Sequence, residues 1–269
     1  MERDKEKNRE KRRELGLLLL PNFFTALSIF FAVIALSKVY NGDYLEAFGW
    51  LLGSGIADGL DGRVARLTGT TSKFGEEFDS LADVVAFGVI PAYFYFEGIG
   101  QDLGRLGVAF TAIFIIFGAI RLARFNISVG NSDPNYFIGL PIPASGILLS
   151  GYVVLYQIYN FGNEFLVTFI LLFLSFLMVS NIRFPSFKKI KVNRIFFVRI
   201  LIGVVVLTLF LYVAPVIGVV TLLSLYVIGG IARTGWVLYR YWRVIVRRRK
   251  KGGRENGAEL PQNRGKGGN

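Results

Sequence analysis

The sequence predicts an all-α, polytopic membrane protein of about eight transmembrane helices with both termini on the cytoplasmic side. Three observations carry that expectation. Of 269 residues, 53% are hydrophobic and 15% aromatic, with 25 Phe, which is more apolar than an ordinary soluble domain. Apolar runs close to the roughly 20 residues needed to cross the hydrocarbon recur along almost the whole chain. Lys and Arg collect at alternate ends of those runs, as the positive-inside rule requires.

The elements follow in order. Residues 1–16 form a charged cytoplasmic segment with seven basic residues between Arg3 and Arg13 and five acidic ones. No cleavable apolar core precedes the first span, so no secretory signal peptide is expected. The spans run from Pro21 to Tyr40, Leu45 to Arg63, Phe74 to Phe96, Leu106 to Ile127, Pro141 to Tyr159, Phe165 to Ser180, Phe196 to Tyr212 and Val216 to Trp236. Inside segments carry Arg63, Arg66 and Lys73, then Arg121 and Arg124, then six basic residues from Arg183 to Arg199, then the tail from Arg240. The opposite loops hold only Lys38 and Arg105. Residues 17–246 read as one integral membrane domain, and 247–269, rich in Gly and charge, as a disordered basic tail.

Several function classes drop out. A net charge of +12 in a soluble protein would point to nucleic acid; here topology accounts for the basic residues, so nucleic-acid binding is discarded. The charged ends read as solvated flanks, with attraction to anionic headgroups as a secondary property. There is no Cys and no His, which removes thiolate and imidazole chemistry, zinc sites and disulfides. No internal repeat is visible, which argues against an inverted-repeat transporter.

The acid, base and ligand candidates are therefore carboxylates, and four stand out: Asp58, Asp61, Asp79 and Asp83, inside the second and third spans. An Asp at the centre of a membrane helix costs roughly 2.5 to 3.5 kcal/mol, so the group needs neutralising. Asp58 with Asp61, and Asp79 with Asp83, each share one helix face. If the two spans pack side by side, the pairs face each other and offer hard oxygen ligands suited to magnesium, manganese or calcium, with room for two metals. Gly62 and Gly75 permit close backbone approach, Ala65 is small, Arg66 can fork onto phosphate oxygens, and Lys73 lies nearby. Acidic residues inside membranes also serve as ion or proton sites in transporters, and charge placement alone leaves enzyme and transporter both open.

The full spacing, Asp58-x2-Asp61-Gly62-x2-Ala65-Arg66-x8-Gly75-x3-Asp79-x3-Asp83, resembles the signature of the CDP-alcohol phosphotransferases, membrane enzymes that displace CMP from a CDP-linked lipid or alcohol with a second alcohol. The resemblance implies that Asp58, Asp61 and Asp79 coordinate divalent metal, two ions of magnesium or manganese. It implies that Asp83 touches the metal and is the general base. It assigns Gly62, Ala65, Arg66 and Gly75 to the cytidine diphosphate. Asn22 either faces that nucleotide or stabilises the break at Pro21.

Further segments resemble the His-free, membrane-embedded phosphatidylserine synthases of that family: Leu20-Pro21-Asn22 with Thr25, Ser80 to Ala92, Arg121-Leu122-Ala123-Arg124-Phe125-Asn126, and Gly139 to Pro143. This implies CDP-diacylglycerol and serine as substrates, direct displacement, a homodimer, and a multi-pass prokaryotic cell-membrane protein whose active site faces the cytoplasm. Arg121 or Arg124 would clamp the serine carboxylate, with Asn126 adding a polar contact. The alternative for these residues is the inside end of the fourth span or a lipid phosphate. Glycerol 3-phosphate, an inositol compound or an ether-lipid donor would fit the same chemistry, and a cation-coupled transporter is the alternative from another class. Glu76 and Glu77 read as helix surface or support.

Overall fold

The computed structural model describes residues 2–70, 72–128, 136–185 and 214–255. Its helices are α1 (Glu2–Tyr40), α2 (Tyr44–Thr68), α3 (Lys73–Asp83), α4 (Ile90–Tyr95), α5 (Arg105–Ser128), α6 (Ile142–Tyr159), α7 (Glu164–Val179) and α8 (Pro215–Glu255). Two π-helical stretches, Val84–Val89 and Phe96–Gly100, flank α4, so that Lys73 to Gly100 is one continuous irregular rod. A short strand β1 (Tyr136–Ile138) pairs antiparallel with β2 (Arg183–Pro185).

Five helices among the described residues are long and apolar enough to cross a membrane: Leu20–Tyr40, Lys73–Gly100, Arg105–Ser128, Ile142–Tyr159 and Pro215–Val237, with Glu164–Val179 a shorter apolar helix. The expected second span is also a helix, α2, but its charged residues lower its hydropathy. The expected sixth span is the short α7, and the expected seventh, Phe196 to Tyr212, lies outside the described residues.

α1 and α2 form the main hairpin. Gly42, at φ +83, takes the turn between them, a left-handed conformation that side chains disfavour. Midway along the hairpin, the buried hydroxyls of Ser28 and Ser54 lie 2.9 Å apart, and Ser54 also donates to the Ser28 carbonyl. Such a polar pair lets two helices meet where water cannot reach. The core beside it is aromatic: Phe48, Phe87, Phe94, Tyr95 and Phe114 are fully buried. Gly146 in α6 is a close-approach position, because a Cβ there would run into the Phe87 backbone and Pro91. Pro91 supplies no amide to the turn behind it, and the wider π turn Val84–Val89 directly precedes its helix.

Two features depart from the sequence expectation. The all-α reading missed the β1–β2 pair, whose three-residue strands are too short to show a periodicity. Helix α8 also continues to Glu255, through residues expected to be disordered, while 256–269 lie outside the described residues. Extending an existing helix needs no new nucleus, and Arg, Lys and Leu are good helix formers, so the run beyond the span stays helical.

Candidate active site

A four-residue turn sets the site. Helix α2 ends at Gly69, which is left-handed at φ 66 and returns its amide to the Ala65 carbonyl. Helix α3 then starts at Ser72, whose side chain accepts from the Gly75 amide at 3.1 Å, a helix N-cap. After this short connection the chain doubles back, and α3 packs against α1 with its aspartates reaching across to those of α2. Asp58 stands eleven residues before Gly69 and Asp83 eleven after Ser72, while Asp61 stands eight before and Asp79 seven after. With a constant rise per residue, each aspartate meets its counterpart at nearly equal height. Accordingly the Asp58 carboxyl faces Asp83, and Asp61 faces Asp79.

Asp58, Asp61 and Asp79 each place a carboxylate oxygen within 4.8 Å of the others. Asp61 is buried, with 6% exposure. Its Oδ2 accepts from Thr25 Oγ1 of α1 at 2.8 Å, and its Oδ1 accepts from the Gly62 amide. The Oδ1 atoms of Asp58 and Asp83 are buried without a hydrogen-bond partner. Several carboxylates packed together with orphaned oxygens are unstable unless protons or a cation lie among them. The donor set, all carboxylate oxygen, fits a hard divalent ion such as magnesium or manganese.

Beside the aspartates opens a cavity lined by Pro21, Asn22, Thr25, Asp61, Gly62, Ala65, Arg66, Thr70, Ser72, Gly75, Glu76 and Asp79. All five residues expected to hold the nucleotide are thus on one wall system: Asn22, Gly62, Ala65, Arg66 and Gly75. The glycines keep the walls close. A Cβ on Gly62 would stand 3.4 Å from the Arg66 guanidinium, and one on Gly75 would stand 3.2 Å from both Asn22 Oδ1 and Ser72 Oγ. Sequence reasoning gave no chemical role to Thr25, Thr70, Ser72 or Glu76. Thr25 had entered only as part of a resembling segment, and Ser72 carried a local signal, as a Ser just before a helix.

The three residues expected to meet the acceptor separate in the structure. Arg121, on α5, is 6% exposed and its Nε has no hydrogen-bond partner. Its guanidinium lies 5.3 Å from the Phe125 ring centre and sits near the Asp83 carboxyl and the Tyr226 ring. Arg124, one turn on, has its donors engaged elsewhere. Its Nη1 donates to the Val179 carbonyl at 2.7 Å, and its Nη2 lies 3.0 Å from that of Ser180, 3.2 Å from Met178 and 3.3 Å from Ile138, with Asn181 Oδ1 at 3.4 Å from Nη1. It therefore caps the carbonyl end of α7, where a cation is favoured, and joins that end to β1. Asn126 donates to Ser80 Oγ at 3.0 Å, tying α5 to α3. None of the three lines the cavity, and only Arg121 faces the aspartates.

A family model for CDP-alcohol phosphatidyltransferases matches residues 18–181. A relative from Helicobacter pylori named CDP-diacylglycerol–serine O-phosphatidyltransferase is 48% identical over 241 residues, 87% of this chain and 97% of its own. One of the same name from Methanocaldococcus jannaschii is 36% identical over 70% of this chain and 85% of its own. An archaetidylserine synthase from Methanothermobacter thermautotrophicus is 30% identical over 63% of this chain and 71% of its own. The match takes in the aspartates, the cavity beside them and the arginines of α5, and with it this chain belongs to the CDP-alcohol phosphatidyltransferase family.

Proposed function

We propose that the protein transfers the phosphatidyl group of CDP-diacylglycerol to the hydroxyl of serine, giving phosphatidylserine and CMP. The observation that carries this is the convergence of Asp58, Asp61, Asp79 and Asp83 beside a cavity lined by Arg66, Asn22 and two glycines. Serine as acceptor is supported by relatives whose names all contain it while their lipid differs.

Asp58, Asp61 and Asp79 would hold magnesium or manganese, as two ions with Asp83 completing the set. A divalent cation held there would offset charge on the diphosphate and make CMP a better leaving group. Gly62, Ala65, Gly75 and Asn22 line the nucleotide, and Arg66 takes two diphosphate oxygens in a bidentate contact. Arg121 binds the serine carboxylate and Asp83 accepts the hydroxyl proton. The serine oxygen then forms its bond to the phosphatidyl phosphorus as the bond from that phosphorus to the CMP oxygen breaks. CMP leaves with the bonding pair. Arg124 and Asn126 position this arrangement instead of touching serine.

The reading includes eight spans with both termini and the site on the cytoplasmic side, a membrane domain over 17–246 between a charged N-terminal segment and a basic tail, a cell-membrane location, and a homodimer. The alternating Lys and Arg support the topology. Since the chain has no native Cys, single cysteines at the exposed Phe161 and at residue 262 test it directly: a membrane-impermeant reagent on whole cells should label only the first. The mass of the detergent-solubilised protein tests the dimer.

The deciding assay is CMP release by purified protein with CDP-diacylglycerol and magnesium or manganese, comparing serine, glycerol 3-phosphate and inositol. Release is expected with serine and lost on chelation. Release with a different acceptor would reassign the substrate, and none with any would reject the donor.

A further inference from the structure

Helix α8 does not stop where its apolar part does. Pro215–Val237 is 23 residues long, and hydrocarbon about 30 Å thick needs only about 20. The helix continues to Glu255. In the turns at and just beyond Val237, Trp236, Tyr239 and Trp242 are 56%, 51% and 63% exposed. The Arg240 guanidinium lies 4.3 Å from the centre of the Trp236 ring, and that of Arg243 5.2 Å from the Tyr239 ring. Trp236, Tyr239, Arg240 and Arg243 follow one another at i, i+3, i+4 and i+7, which is one helix face.

Trp236 to Arg243 covers about 10 Å of helix axis, comparable to the headgroup layer that adds roughly 5 to 8 Å on each side of the hydrocarbon. Trp and Tyr favour that layer, where an apolar ring and a polar edge are both satisfied. An arginine stacked on a ring uses its face there and keeps its in-plane N–H groups for a phosphate. Farther out come Arg247, Arg248, Arg249, Lys250 and Lys251, and no acidic residue occurs between Ala232 and Gly253.

We propose that Trp236–Arg243 of α8 is a headgroup-level binding surface for anionic phospholipid, with Arg240 and Arg243 on the lipid phosphates and the run 247–251 concentrating such lipids around it. The positive-inside rule explains basic residues on this side of the membrane, but it calls for neither the rings nor the stacking. Charge complementarity, continuity with a membrane span and the match to headgroup depth select lipid over a soluble partner. The inference does not depend on the catalytic reading.

The chain has three Trp, at positions 50, 236 and 242, so the double variant Trp50→Phe, Trp236→Phe leaves Trp242 as the sole reporter. It is reconstituted in phosphatidylcholine vesicles containing a minor share of phosphatidylglycerol, with one lipid or the other brominated at equal mole fraction. Quenching should be stronger from brominated phosphatidylglycerol. The difference should shrink at about 1 M salt, where the screening length is about 3 Å, and should fall in Arg240→Gln, Arg243→Gln to the part that 247–251 supplies; no change in that variant would overturn the roles of Arg240 and Arg243. Equal quenching by both lipids would make the segment an unselective anchor and overturn the proposal. Absence of quenching by either would place it in water and overturn it equally. If the double variant does not fold by circular dichroism, Trp50→Phe, Trp242→Phe reads the same comparison from Trp236.

Discussion

At the scale of single residues, the site divides its two neighbouring arginines between different tasks. Arg121 is buried with a donor to spare and Asp83 close by, whereas Arg124 is distributed over four acceptors at the end of α7 and one on β1. Arg121→Ala should raise the serine KM by about 10- to 100-fold, the cost of a charge-assisted hydrogen bond of roughly 1.5 to 3 kcal/mol. Arg124→Ala should leave the serine KM nearly unchanged and lower the thermal midpoint instead. Steady-state kinetics and a melting curve on both variants separate the roles. Asp83→Asn should reduce kcat by about 10²- to 10⁴-fold, the usual worth of a general base, while CDP-diacylglycerol binding persists. Thr25, whose hydroxyl donates to Asp61 Oδ2 at 2.8 Å, would act through the carboxylate it orients. Thr25→Val should weaken manganese binding, measured calorimetrically, by about 10- to 100-fold, and Thr25→Ser should restore it.

At the scale of elements, the turn from Gly69 to Ser72 decides which carboxylates meet. The motif spacing alone showed that Asp58 and Asp61 share a face and that Asp79 and Asp83 share another, because helical period is local. Which residue faces which across the gap depended on where α2 stops and α3 starts, marked by a left-handed Gly69 and the Ser72 cap. Ser72→Ala should destabilise the protein by about 1 kcal/mol, the usual worth of an N-cap, seen as a lower melting temperature. The reason sequence reading put Arg124 beside the acceptor is also visible here. A cation at the inside end of a span looks the same in sequence whether it meets a ligand or the carbonyls of another helix, and α7 and β1 lie 54 and 14 residues away from it in the chain at Met178 and Ile138. The β1–β2 pair was illegible for a related reason, its two three-residue strands lying far apart in the chain.

Across the whole molecule, hydropathy located helices: seven of the eight expected spans coincide with helical segments, five of them long and apolar enough to cross a membrane, and the remaining one lies outside the described residues. Composition could not show where α8 ends, since charged residues leave a membrane without leaving a helix. A divalent ion bridging α2 and α3 would bind only the folded protein, so magnesium or manganese should raise the melting temperature. At 100 times the dissociation constant the gain is about 2.7 kcal/mol, and a chelator should reverse it; a flat titration would reject the aspartates as a metal site. Every residue lining the cavity falls between Pro21 and Asp79, whereas Arg121 comes from α5, a later stretch of the chain. The half that would activate the donor is thus inherited as a single uninterrupted passage, and the half that would choose the alcohol is inherited apart from it. Descendants of such a chain could exchange one alcohol for another by altering α5 while leaving the ancestral donor passage intact, and an engineer seeking a new headgroup would begin there.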